Sequence, residues 1–219
     1  SPALPPAING VGDYATILAE ALRERGVESS FITLGNAPDT VSGFPVGRLS
    51  HVSADGCQGA LEASGAQTVL LHFSGYGYAR RGLCWWLAEG LRRWKHRHEG
   101  RRLVTVFHEL YATGPIWHSS FWTALPQREI ARTLTRISDA ALTTTQASAE
   151  KLKAWRPELP IVVSPVFSNV GELDSPAPLH SREPTAVVFG QNERRRRVYT
   201  ALSKTPPTVG DGLRRIGVR

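Results

Sequence analysis

Short apolar runs alternate with amphipathic segments along most of the chain. The runs at Thr68–Phe73 and 103–107 have the length and β-branched content of strands that are buried on both faces of a parallel sheet. Shorter runs of the same kind lie at 31–34, 46–52, Ala140–Thr143 and Ile161–Val163. We expect Thr68–Phe73, 103–107 and Ala140–Thr143 to be inner strands of one sheet.

Segments with apolar residues at helical spacing separate these runs. The clearest begins at Gly10, carries Leu18 and Leu22 in its apolar stripe, and ends at Gly26. Further helices are predicted at 54–64, 83–98, 127–138 and 148–155. The glycine-rich stretch 74–78 and the aromatic-rich stretch 111–125 are predicted to be loops.

This alternation predicts an α/β fold with a doubly wound, Rossmann-like parallel sheet. The glycine turn that opens at Gly10 should follow a strand in such a fold. The residues before it are rich in proline instead. We therefore expect the first strand of the sheet to be missing from this chain.

The chain changes character after this first group of elements. The stretch 170–184 contains prolines and little periodicity, which predicts a linker. A strand at 185–190 and a helix at 193–203 then open a new βα unit. We interpret 1–169 as a Rossmann-like domain and 185–219 as a fragment of a second domain.

Composition narrows the class of protein. Of the 219 residues 41% are hydrophobic, and no stretch approaches the roughly 18 apolar residues of a membrane span. Two cysteines do not indicate a disulfide framework, and the first residues lack the features of a signal peptide, so a cytoplasmic location is expected. The net charge of +7 favours anionic partners such as phosphates, nucleotides, acidic lipids or nucleic acid.

The strand predicted at 103–107 ends abruptly in His108 and Glu109. In open α/β sheets ligands bind beyond the carboxyl ends of the strands, so chemistry is expected at a titratable pair in this position. The alternative is that His108 is a hydrogen-bonded histidine at a strand end. The strand at Thr68–Phe73, which also ends in polar and glycine residues, favours the functional interpretation, as does the glycine turn.

Gly10, Gly12 and Ala15 match a G-x-G-x-x-[G/A] pattern that opens a helix. Glycines allow a ligand to approach the backbone closely, and a helix N-terminus attracts anions. A dinucleotide site also requires an acidic residue after the second strand. The nearest acid here is Asp39, which lies beyond a proline, and this argues against NAD. A glycine turn that is required only for packing stays an alternative.

Other polar constellations carry less information. His72 stands where a G-x-S-x-G hydrolase motif around Ser74 needs glycine, which excludes that motif. His96 and His98 lie at a basic helix end without a carboxylate or cysteine cluster, so no metal site is predicted.

Six basic residues crowd around Trp94, namely Arg92, Arg93, Lys95, Arg97, Arg101 and Arg102. This basic cluster predicts either a solvated helix end or a peripheral contact with an anionic membrane surface. No recognised nucleic-acid-binding motif is present, so no specific nucleic acid is expected.

Four segments, taken in order, resemble the retaining GT-B glycosyltransferases of the group 1 (family 4) type. Asn-Gly-Val-Gly-Asp-Tyr-Ala at 9–15 looks like their N-terminal glycine loop, with Asn9 in place of the usual first glycine. Val-Phe-His-Glu at 106–109 resembles their His-Glu or His-Asp strand end. Thr-Gln-Ala-Ser at 145–148 resembles the segment that closes their first domain. Val-Val-Phe-Gly at 187–190, with the arginines that follow, resembles the opening of their second domain.

The resemblance implies transfer of a sugar from a nucleotide-diphosphate sugar to a sugar, lipid or other small acceptor. The anomeric configuration would be retained, and neither a metal nor another cofactor would be required. His108 and Glu109 would be the catalytic residues, with His108 near the transferred sugar. The acceptor-binding residues would be Gly10, Gly12, Asp13 and Tyr14.

The chain also departs from the family pattern. The second domain of the family usually opens Gly-Arg and has a lysine farther on, and both basic residues hold the diphosphate. Here Gly190 precedes Gln191, and Arg194 and Arg196 are the candidate diphosphate-binding residues. The family's Glu-x7-Glu donor motif is not found, so little activity is expected from this chain alone. Two alternatives stay open: a Rossmann-type oxidoreductase with a nucleotide cofactor, and a non-catalytic binding domain of the same fold.

Overall fold

A computed structural model of the protein describes residues 1–168, 175, 178, 181 and 192–204. The chain divides into two compact units, Ser1–Val170 and Gly171–Arg219. The predicted linker at 170–184, apart from three isolated residues, and the predicted strand at 185–190 lie outside the described residues.

Helices and strands alternate through the first unit. Its helices are α1 (Gly10–Arg23), α2 (Ala54–Ala63), α3 (Gly75–Tyr78), α4 (Trp85–Arg97), α5 (Ser119–Ile137) and α6 (Gln146–Trp155). Its strands are β1 (Phe31–Thr33), β2 (Thr40–Val41), β3 (Phe44–Arg48), β4 (Thr68–Phe73), β5 (Arg102–Phe107), β6 (Ala140–Thr143) and β7 (Ile161–Val163). A 3-10 turn at Arg80–Gly82 connects α3 to α4, and the second unit contributes α7 (Asn192–Lys204).

The larger sheet is parallel throughout, in the order β4-β5-β6-β7. A smaller sheet pairs β1 with β3 in parallel and β2 with β3 in antiparallel orientation. Strands β5 and β6 are inner strands, as predicted. Strand β4 was also expected to be an inner strand, but it lies at the end of the described four-stranded sheet.

Side chains alternate between the two faces of this sheet, as the period of a strand requires. Leu71, Phe73 and Leu103 lie on one face and belong to a core that also contains residues of α2, α4, α5 and α6. His72 lies on the opposite face, where Tyr14 of α1 contacts its ring. Helices therefore flank both faces, which is compatible with a Rossmann-like fold.

Most predicted elements are confirmed, and β4, β6 and β7 have the predicted bounds. The helix predicted at 193–203 is confirmed as α7. Two predicted loops were wrong in part, because 74–78 contains α3 and because α5 begins at Ser119 within the predicted loop 111–125. Pro126 lies inside α5 and does not end it. The neighbouring Gln127 side chain accepts from the Ala112 amide and donates to the Arg81 carbonyl, which anchors the helix to other parts of the fold.

The first residues of the chain run beside β1. The amino group of Ser1 donates a hydrogen bond to the Ile32 carbonyl at 3.0 Å, and the Thr33 hydroxyl donates to the Pro2 carbonyl at 3.4 Å. A cavity of about 810 Å³ opens next to Ser1. Residues of β1 and β4 line it, as do residues of α1, α2 and α4.

Candidate functional site

The carboxyl ends of β4 and β5 bring two histidines together. The parallel register pairs His72 with Val106, so His108, two residues farther on, projects from the same face of the sheet. His72 Nδ1 lies 3.3 Å from His108 Nε2, and the two rings are stacked with their centroids 5.5 Å apart. The amide of His108 donates to the Phe73 carbonyl at 3.0 Å, which fixes the backbone where β5 ends.

Tyr14 of α1 covers this histidine pair. Its ring meets His72 edge-on at 5.7 Å and His108 at 5.1 Å between centroids. The ring of Phe167 stacks on the Tyr14 ring at 4.2 Å. Tyr14 is buried, and burial raises the pKa of its hydroxyl. The structure therefore places Tyr14, a predicted acceptor-binding residue, against His108, a predicted catalytic residue.

Both imidazoles are held in the neutral form. His72 is only 5% exposed, and burial, the Ser1 amino group and His108, in that order, lower its pKa to about 3. Burial also lowers the pKa of His108. Between two neutral rings either His72 Nδ1 or His108 Nε2 donates the shared hydrogen bond. With either donor, His108 Nδ1 stays available to a ligand, because it has no hydrogen-bond partner within the described part of the chain.

The side chain of Glu109 lies at the surface beside this pair. Its carboxylate accepts a hydrogen bond from Ser74 Oγ at 3.4 Å. Ser74 follows β4 and Glu109 lies just beyond β5, so the two polar residues meet at the same edge of the sheet. The predicted pair therefore separates into a half-buried imidazole and an exposed carboxylate.

Gly12 is the point at which α1 meets the first residues of the chain. A Cβ atom at Gly12 would collide with the carbonyl oxygen of Ala3 and would lie 3.2 Å from the Cα of Leu4. Glycine is thus needed for this backbone approach. Gly10, the other glycine of the predicted motif, is exposed at the first position of α1.

The amides of the first turn of α1 are already bonded to Asn9. Its side-chain oxygen accepts from the amides of Val11 and Gly12, each at 3.0 Å, and its carbonyl accepts from Asp13 at 2.9 Å. Asn9 is therefore the N-cap of the helix. An anion at these amides would have to displace the Asn9 side chain. The carboxylate of Asp13 is half-buried and makes no ion pair within residues 1–168.

The predicted diphosphate-binding arginines belong to the second unit. Arg194 and Arg196 both lie in α7, and the side chain of Arg196 is exposed. The side chain of Arg194 lies outside the described residues.

The basic cluster around Trp94 is largely paired with carboxylates. Four of its members form ion pairs, namely Arg92 with Glu89 (2.8 Å), Arg93 with Asp55 (2.7 Å), Lys95 with Asp139 (2.7 Å) and Arg101 with Glu62 (2.5 Å). Trp94 itself is fully buried under the Arg101 guanidinium. The cluster consequently presents much less positive charge than its sequence suggests.

Two residues of the site escaped the sequence-based prediction. The position of His72 beside His108 could have been predicted from the sequence. His72 lies one residue before the end of a predicted strand, and if two parallel strands pair with their ends aligned, it shares a face of the sheet with His108. The contact of Phe167 with Tyr14 could not have been predicted in this way, because it depends on the path of the chain after β7.

Comparison with models of known protein families and with curated proteins found no match for this sequence. Within the described residues, no group of three or more His, Cys, Asp or Glu side chains is arranged to hold a metal ion. No helix in that part of the chain has both the length and the hydropathy needed to cross a membrane. The functional interpretation therefore depends on the geometry at the strand ends.

Proposed function

We propose that this chain is the acceptor-side unit, with the beginning of the donor-side unit, of a retaining GT-B glycosyltransferase of the group 1 type. The enzyme would transfer a sugar from a nucleotide-diphosphate sugar to a sugar, lipid or other small acceptor in the cytoplasm, without a cofactor. One observation carries the proposal: His108 lies at the carboxyl end of β5, next to Tyr14 of α1, with Nδ1 open to a ligand. Ligands of open α/β sheets bind at this edge.

The proposed role of His108 follows from its protonation state. A neutral imidazole is a poor proton donor at neutral pH, but it is a good hydrogen-bond partner for a sugar hydroxyl. His72 would hold the His108 ring in one orientation through the bond between His72 Nδ1 and His108 Nε2. Glu109, which is exposed, would accept a hydrogen bond from a hydroxyl of the acceptor. We therefore assign substrate positioning to His108 and Glu109 rather than general acid catalysis.

Two contacts weigh against the oxidoreductase alternative. The Asn9 side chain occupies the Val11 and Gly12 amides, which in a dinucleotide site would hold the pyrophosphate. Asp39, the nearest acidic residue after β1, forms an ion pair with Arg48 at 3.0 Å, whereas a dinucleotide site needs such a carboxylate to bind the ribose.

We propose that the cavity between β1 and β4 is the position of a strand that ends at Ser1. Ser1 supports this, because its amino group already donates to the Ile32 carbonyl of β1, as the next residue of a paired strand would. With that strand in place, β1 and β4 would belong to one doubly wound sheet.

The test is ligand binding observed at the His108 ring by nitrogen NMR of histidine side chains. Sugar nucleotides with different bases and sugars are titrated into the 219-residue chain, and NAD and NADP are titrated in parallel. We expect weak binding of a sugar nucleotide that shifts the His108 Nδ1 signal. His108→Ala should abolish the binding, whereas His96→Ala, at the exposed end of α4, should leave it unchanged. A stronger response to NAD or NADP, or no response at His108 to any sugar nucleotide, would contradict the proposal.

A further inference from the structure

A second surface, distinct from the histidine site, exposes large apolar side chains. It comprises the start of α5 and the residues just before it, with Ile116, Trp117, Phe121, Trp122 and Leu125 in solvent. Trp117 is 80% exposed, Trp122 68% and Leu125 70%. We refer to these five residues as the α5 aromatic patch. Contiguous apolar patches of this kind on a protein surface mark sites of interaction.

Contacts join Ile116, Phe121 and Trp122 of the patch. The rings of Phe121 and Trp122 meet edge-on at 5.4 Å, and the Trp122 indole donates to the Ile116 carbonyl at 3.0 Å. Leu125 follows Phe121 by four residues and Trp122 by three, so the three side chains adjoin on the helix surface. The core instead receives other residues of α5, such as Ile130, which is fully buried. Core packing therefore does not explain the patch.

A positive charge borders the patch. Arg128 lies one helical turn beyond Leu125. It is exposed and pairs with no carboxylate of the described residues.

Acidic residues are scarce in the same region. The sequence contains neither Asp nor Glu between Glu109 and Glu129. Glu129 itself pairs with Arg132 at 3.3 Å. The surface thus combines aromatic rings with the unpaired guanidinium group of Arg128.

We propose that the α5 aromatic patch docks on the headgroup region of an anionic lipid bilayer. Tryptophan and phenylalanine partition into that region, and arginines near it are attracted by anionic lipids. The helix would lie in the plane of the interface. This contact surface differs from the basic cluster around Trp94, whose charges are mostly paired, and it does not depend on the proposed sugar transfer.

The experiment is sedimentation of the 219-residue chain with vesicles of phosphatidylcholine, alone or mixed with phosphatidylglycerol. Binding should require the anionic lipid and weaken as salt is added. The double variant Trp117→Ala/Trp122→Ala should bind at least about tenfold more weakly, because it removes two rings from the interface. Leu125→Gln, a single substitution at an exposed position, provides a second measure of the apolar contribution. Val52→Ala, at an exposed apolar residue outside the patch, should bind as the wild type does.

A charge comparison separates the two candidate membrane surfaces. Arg128→Gln should weaken binding to the anionic vesicles roughly fivefold. Arg97→Gln, on the exposed end of α4 within the basic cluster, should change it little. Equal losses in the two variants would overturn the proposal, and so would binding that survives loss of both tryptophans. Self-association through the patch without vesicle binding would also overturn it, in favour of a second copy of the chain.

Discussion

The imidazoles of His72 and His108 share a hydrogen bond of 3.3 Å, although the residues lie 36 positions apart in the sequence. The parallel register of β4 and β5 makes this contact possible, because it sets both rings on one face at adjacent strand ends. His72 lies in β4 and His108 directly follows β5, so regular strands position the pair, and such support holds a site in a fixed geometry. His108 Nε2 is held by His72, and His108 Nδ1 has no hydrogen-bond partner in the described part of the chain.

The buried His72 should make the fold less stable in mild acid. Its pKa of about 3 in the folded protein lies below the ordinary value of 6.5, so the unfolded chain binds the proton more strongly. The stabilisation is complete above about pH 6.5 and is lost as the pH falls from there toward 3. Between about pH 7.5 and about pH 5, His72 alone should reduce the free energy of unfolding by about 2 kcal/mol. Urea unfolding at the two pH values measures this change.

His72→Gln is the comparison for this measurement, since glutamine does not titrate. The amino group of Ser1, whose pKa burial lowers to about 5, acts in the same direction in both proteins. The difference between their pH dependences therefore reports His72. Parallel pH profiles for the two proteins would show that His72 is not protonated differently in the folded and unfolded states.

Gly12→Ala should destabilise the protein through its contact with the first residues of the chain. The added Cβ would collide with the Ala3 carbonyl, and overpacking of this kind costs about 1–3 kcal/mol. Gly59→Ala is the matched control, because Gly59 lies within α2 and its added Cβ would meet nothing within 4 Å. That change should raise the free energy of unfolding by about 0.5–1 kcal/mol, because alanine favours helix. Equal effects of the two changes would contradict the packing role of Gly12.

Asp139 should contribute more to stability than its surface position suggests. Its carboxylate accepts from the Leu103 amide and from the Lys95 ammonium, both at 2.7 Å. Leu103 is fully buried, so Asp139→Ala would leave a strand amide without its partner, which costs about 1–3 kcal/mol. Asp39→Ala breaks the exposed pair with Arg48 and should change the free energy of unfolding by less than about 1 kcal/mol. Thermal unfolding of both variants checks the ranking.

The elements that could be predicted from the sequence are those in which the apolar residues of the local pattern are also the buried residues of the structure. β4 was predicted to the residue, because Thr68–Phe73 is an almost continuous apolar run between polar neighbours. The start of α5 was missed because polar residues face the protein interior there and apolar residues face solvent. Its buried residues Thr123 and Gln127 are polar and are satisfied by hydrogen bonds, while Trp122 faces solvent. Periodicity in hydrophobic residues cannot reveal a helix whose inner surface is polar.

The site was predictable only as far as it follows from strand ends. His108 and Tyr14 were selected from separate motifs, and the structure brings their rings within 5.1 Å. The capping of the Val11 and Gly12 amides by Asn9 was not predicted, because the glycine pattern was interpreted as open to an anion. Three ion pairs of the basic cluster were missed because they involve Asp55, Glu62 and Asp139, which are distant in the sequence.

A strand that fills the cavity between β1 and β4 should stabilise the fold. A chain in which about five apolar, β-branched residues precede Ser1 should be more stable than the 219-residue chain. The added strand would pair with two open sheet edges and bury its side chains against α1 on one face and against α2 and α4 on the other. Its apolar burial exceeds its ordering entropy, so the free energy of unfolding should rise by about 3 kcal/mol.

The control is an extension of equal length that alternates lysine and aspartate, which cannot enter an apolar cavity without a large desolvation penalty. Urea unfolding and binding of a fluorescent apolar dye are measured for all three proteins. The apolar extension should raise the urea midpoint and reduce dye binding, while the charged one should leave both unchanged. If the two extensions behave alike, the cavity does not accept a strand, and the interpretation of β1 and β4 as neighbours across a missing strand is wrong. If only the apolar extension acts, the proposed single sheet gains direct support, because a strand that ends at Ser1 can reach no other pair of open edges in the described part of the fold.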